Sequence, residues 1–185
     1  WARVATADVL TVCGVLAAVW WYWRGPEDTR LGRYSVFFLL LAVTSLFKGL
    51  IGFVLPGLVL LPHLLAEHRY KRHLNLRLVC ALLIAAAVYA VPFVLSHLYG
   101  APSYGSSGLA LVFREIVVRF FVPFDHMGPI YTYLIYLPAY TLPWAPCWML
   151  GLWLALRHWR ETPPNVRWLV WGLGLLFVFF TASGS

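Results

Sequence analysis

From residue 78 to residue 95 the chain carries no charged side chain, and five further apolar runs, at about 8–23, 34–47, 50–66, 130–156 and 168–182, follow the same pattern except for Asp8 at the start of the first. Runs of this kind approach the ~20 residues that a helix needs to cross a bilayer core. Hydrocarbon offers no partner to backbone N–H and C=O groups, so the backbone in such runs must satisfy itself as helix. Composition agrees: 62% hydrophobic and 11% charged residues, with a mean hydropathy of +0.77, lie outside the soluble globular range. The expected fold is therefore all-α, one membrane domain over 1–185 built as a multi-pass transmembrane helical bundle of about six spans.

Charge orients the bundle. A net charge of +7 could suggest nucleic acid, but a soluble basic domain would carry far more total charge, and no nucleic-acid motif is present. Ten of the 14 Lys and Arg residues fall in three turns: 24–33 (Arg24, Arg30, Arg33), 67–77 (Arg69, Lys71, Arg72, Arg77) and 157–167 (Arg157, Arg160, Arg167). The positive-inside rule makes these cytoplasmic. That assignment needs 34–66 to be a hairpin turning at Lys48-Gly49. A single helix would hold a lysine near the bilayer centre, at a cost of roughly 2.5 to 3.5 kcal/mol. The first arm is then short for a span and calls for local thinning or a protein-covered tip. Pro138 and Pro143 should kink the 130–156 run. Cys13, Cys80 and Cys147 lie in apolar runs without a CxxC spacing and read as small core residues.

Four cations remain on the opposite face, Arg3, Lys48, Arg114 and Arg119, beside Asp8, Glu115, Asp125, His97 and His126. Cations retained against the positive-inside bias point to an anionic ligand at the membrane surface. In the outer loop, 96–129, Leu109, Val112, Phe113, Ile116 and Phe120 form one apolar helical stripe, with Glu115 and Arg119 four residues apart on its flank. This is expected to be an extracytoplasmic interfacial helix. Each charged residue also has an ordinary reading. Asp8 suits a helix first turn, Lys48 can snorkel to water, Glu115 and Arg119 can be a surface pair, and His126 can be an incidental turn histidine. The functional alternative has Lys48, with Gly49 allowing close backbone approach, and Arg119, oriented by Glu115, holding a phosphate.

The order Glu115, Arg119-Phe120, His126, Gly128-Pro129, Tyr131, Tyr133 and then Leu142 to Trp144 resembles the polyprenyl-phosphate-sugar glycosyltransferases of the bacterial aminoarabinose transferase and protein O-mannosyltransferase group, which are of the GT-C type. ARVATAD with Arg3 and Asp8, FKGLIGFVLP with Lys48, Gly49 and Pro56, and the closing FTASGS are similar to further blocks of that family in the same order. The resemblance implies a membrane glycosyltransferase that moves a sugar from a polyprenyl-phosphate donor to a lipid A, glycan or protein acceptor. It implies donor binding by Asp8, Lys48, Glu115 and Arg119. It makes His126 a candidate metal ligand, for a divalent metal that no other motif supports. The family's carboxylate base belongs to an outer loop upstream of Trp1, so the chain is expected to be a fragment, inactive alone. The expected location is the inner (plasma) membrane, with the active site on the extracytoplasmic side. Two rival classes are a transporter or flippase, which would place ionisable groups near the midplane of its spans, and a non-catalytic membrane subunit whose outer charges meet a partner.

Overall fold

The computed structural model describes residues 2–99 and 132–182, with side chains over 8–66, 68–99 and 134–181. The elements are α1 (Ala2–Trp23), α2 (Leu31–Lys48), α3 (Ile51–Leu65), a 3-10 turn (Ala66–His68), α4 (Tyr70–His73), α5 (Leu76–Tyr99), α6 (Thr132–Tyr140), α7 (Ala145–Arg157) and α8 (Pro164–Ala182). Among the described residues there is no strand. The interfacial helix expected in the outer loop lies outside the described residues.

Among the described residues three helices, α2, α5 and α8, are long and apolar enough to cross a membrane. α2 starts at Leu31, earlier than the apolar run itself, so its 18 residues rise about 27 Å and the shortness expected of this arm is relieved. α3 has 15 residues, and the apolar part of α1 is also short. Between α2 and α3 the chain turns at Gly49, whose φ of +71° only glycine adopts without strain. The 130–156 run, expected to be kinked, is broken: α6 and α7 are separated by a turn at 141–144. Pro143 has no N–H to donate and drives the residue before it out of helical geometry. Trp148 Nε1 donates to Thr141 Oγ1 across the turn at 2.9 Å.

α2 is the centre of the bundle and packs against α1, α3 and α5. Its buried Tyr34, Phe38, Leu41 and Ala42 meet Ala18 of α1 and Ala81 and Ala85 of α5, where alanines allow close helix approach. Two glycines bring the helices closer still. A Cβ on Gly52 of α3 would stand 2.8 Å from the Ser45 backbone nitrogen, and Gly14 of α1 faces Thr44 with equally little room. α8 packs on α3 where Gly172 meets the Val59 backbone. Outward-facing Leu83 and Leu169 are 63% and 58% exposed, as suits lipid-facing positions.

Aromatic and ionic contacts gather the basic turns at one end. Trp23 stacks on Trp168 with centroids 5.5 Å apart, and the buried His63 ring lies 4.6 Å from Trp23 and 4.1 Å from Trp168. Glu27 pairs with Arg72 at 3.0 Å and with Arg69 at 3.7 Å, and Arg69 reaches over the Trp168 ring. Asn75 caps α5, its Oδ1 accepting from the Leu78 N–H at 3.0 Å. The same side chain donates to the Tyr34 hydroxyl at 3.3 Å, and that hydroxyl lies 2.8 Å from His73 Nδ1. The imidazole tautomer sets which of the two donates in this contact. Burial lowers the His73 pKa below its usual 6.5, assisted by Arg72 and opposed by the hydrogen bond with the Pro26 backbone.

Candidate functional site at the end opposite the basic turns

Lys48 closes α2, and Asp8 sits in the first half of α1. Because α1 and α2 run antiparallel and cross closely at Gly14 and Thr44, Lys48, one turn beyond Thr44, reaches back to Asp8. Its Nζ donates to Asp8 Oδ1 in an ion pair. The two side chains are 51% and 46% exposed. Of the candidate donor-binding residues, these two are brought together. Glu115, Arg119 and His126 lie outside the described residues, as does the Arg3 side chain.

The floor beneath the pair is small and polar. Thr11, Thr44 and Ser45 are buried, and the Thr44 hydroxyl donates to the Leu40 carbonyl at 2.6 Å. Thr44 and Gly52 thus hold α1, α2 and the start of α3 within one narrow waist, one helical turn before Lys48. An ammonium carries three N–H donors, and Asp8 uses one. Among the described residues Lys48 forms its ion pair with Asp8, and its side chain is half exposed. A half-exposed pair is worth only about 0–1 kcal/mol, so sharing Lys48 with a second anion costs little.

Among the described residues no group of three His, Cys, Asp or Glu side chains is arranged to hold a metal, and no step is assigned to one. Sequence reasoning missed the tyrosine–histidine–asparagine cluster at the basic end and the aromatic housing of His63. A histidine inside the apolar stretch 51–65 was the signal for the second, since a buried imidazole needs neighbours that tolerate it.

The chain is 31% identical over 175 residues to the undecaprenyl phosphate-alpha-4-amino-4-deoxy-L-arabinose arabinosyl transferase 1 of Pseudomonas fluorescens (strain Pf0-1), a match covering 92% of this chain and 29% of that protein. It is 29% identical over 168 residues to the undecaprenyl phosphate-alpha-4-amino-4-deoxy-L-arabinose arabinosyl transferase of Aeromonas salmonicida (strain A449), covering 88% of this chain and 29% of that protein. The chain therefore spans under a third of the length of these relatives. No family model and no solved structure matches it.

Proposed function

We propose that the chain is part of a GT-C membrane glycosyltransferase that takes a sugar from a polyprenyl-phosphate donor and passes it to a lipid, glycan or protein acceptor at the extracytoplasmic face of the inner membrane. The observation that carries this reading is the likeness to two undecaprenyl-phosphate arabinosyl transferases along about nine-tenths of the chain. The Asp8–Lys48 pair at the end away from the basic turns supports it.

In such a transfer the phosphate leaves the sugar carrying its negative charge, so the residues that hold that charge lower the barrier. Lys48 is assigned to one phosphate oxygen, and Arg119, with its planar fork, to others. Asp8 restrains the flexible lysine stem so that its ammonium waits at the depth of the phosphate instead of snorkelling away. Glu115 is assigned the same restraining role for Arg119. The acceptor must lose a proton, a task for a carboxylate, which the reading places in a part of the enzyme beyond this chain. The decisive test is transfer of radiolabelled sugar from undecaprenyl-phosphate-linked aminoarabinose by the full-length protein in membranes. Transfer lost on replacing Lys48 and retained on replacing Arg72 supports the reading. No transfer from any polyprenyl-phosphate sugar would leave the chain a transporter or a non-catalytic subunit.

A further inference from the structure

From the basic end, α1, α2 and α3, with His73 of α4 and Leu78 of α5, line a cavity of about 210 Å3 that reaches as far as Leu41 and Phe53. An apolar cavity of ~150 Å3 is already enough to hold a benzene-sized hydrocarbon in place of water. Its walls are aromatic and aliphatic, and it follows α2 from Arg33 to Leu41, about 12 Å at the helical rise. Phe53 and Gly57, on its α3 side, are exposed among the described residues, so the groove opens sideways there. A Cβ built on Gly57 meets nothing within 4 Å, which shows the open space directly.

Tyr22, Asp28, Arg33, Tyr34 and His73 interrupt this apolar lining. Tyr22 Oη and Arg33 Nε are buried and have no hydrogen-bond partner among the described residues. Arg33 is held rigidly: its guanidinium lies 4.6 Å over the Trp21 ring and donates to the Trp21 carbonyl, while Trp21 Nε1 donates back to the Arg33 carbonyl at 3.2 Å. Among the described residues no carboxylate pairs with it. Asp28, which also borders the cavity, is engaged by the Arg30 backbone N–H and side chain. A buried guanidinium Nε–H and a buried hydroxyl that lack hydrogen-bond partners among the described residues are costly. A ligand with an apolar chain and an oxyanion end would satisfy both and fill the groove.

We propose that this cavity lodges one acyl chain of an anionic phospholipid, with headgroup and ester oxygens accepting from Arg33 and Tyr22. The basic turns around the mouth add long-range attraction for an anionic headgroup. The site is separate from the donor site and does not rest on the glycosyltransferase reading.

The test uses the full-length protein in nanodiscs doped with phosphatidylglycerol or phosphatidylcholine carrying a diazirine in the acyl chain, with labelled peptides mapped by mass spectrometry. Labelling per residue along the groove, at Leu41, Phe53 and Leu60, should exceed that at the exposed Leu83 and Leu169 severalfold, and more so for phosphatidylglycerol. Gly57→Leu, which fills the groove, should lower groove labelling at least threefold and leave Leu83 labelling unchanged. Leu64→Phe serves the same purpose from the other end of α3. Arg33→Gln should bring the phosphatidylglycerol to phosphatidylcholine ratio close to one. Groove labelling no higher than at Leu83, or insensitive to both filling variants, overturns the proposal. A headgroup preference that survives Arg33→Gln removes Arg33 from it.

Discussion

Asp8 and Lys48, 40 positions apart in the sequence, form an ion pair between the first half of α1 and the last residue of α2. The contact depends on the antiparallel crossing of the two helices at Gly14 and Thr44, and it concentrates charge at the end of the bundle that the basic turns leave bare. A pair so exposed adds little stability, so its removal separates function from folding.

Lys48→Ala in the full-length enzyme should reduce sugar transfer by roughly one to two orders of magnitude, since charge-assisted bonds contribute on the order of 1.5–3 kcal/mol and about 1.4 kcal/mol is tenfold in rate. Asp8→Asn should impair transfer while the protein still inserts. The exchanged variant, Asp8→Lys with Lys48→Asp, restores the ion pair and should not restore activity. Recovery of activity in that variant would make the pair a purely structural contact. Arg119→Lys should retain more activity than Arg119→Ala but less than the native enzyme, because the charge remains and the two-pronged donor is lost.

Gly52→Val should separate α3 from α2, because its Cβ would stand 2.8 Å from backbone at Thr44 and Ser45. Overpacking of this kind costs about 1–3 kcal/mol. Thermal melts in detergent should show a lowered Tm for Gly52→Val and no lowering for Gly57→Ala, which meets open space; equal melting of the two variants would exclude tight α2–α3 packing at Gly52.

His73 should make the basic end sensitive to acid. Its folded pKa is lowered from 6.5 by burial, so at pH below 6.5 the unfolded chain binds a proton that the folded chain resists. Stability is then fully present above pH 6.5 and falls as the pH drops toward the folded pKa. Thermal melts in detergent between pH 8 and pH 5 should show a falling Tm below about 6.5, and His73→Gln should flatten that part of the profile. An unchanged profile would exclude His73 as its source.

Reporter fusions after Arg30, Arg72 and Arg160 should all report the cytoplasm, and a fusion after Gly105 the opposite side, as the distribution of basic residues requires. A cytoplasmic signal at Gly105 would move the proposed donor site to the wrong face.

The apolar runs alone determined that the chain is helical, because only internally bonded helix satisfies a backbone in hydrocarbon. The clustering of Arg and Lys in three turns likewise marked one end of the bundle before any contact was known. Lys48-Gly49 marked a turn, since a lysine is costly at midspan and a glycine takes the positive φ found there. Periodicity could not say which helices touch, because in a lipid-facing bundle nearly every face is apolar and hydrophobicity no longer distinguishes core from surface. Tertiary packing decided that Gly14 and Gly52 seat Thr44 and that Asp8 meets Lys48. Packing also decided that Tyr34, His73 and Asn75 share one cluster, and that a groove opens beside Gly57. Those pairings depend on close fit between particular side chains far apart in the chain, and a one-dimensional pattern of apolar and polar residues carries no record of that fit.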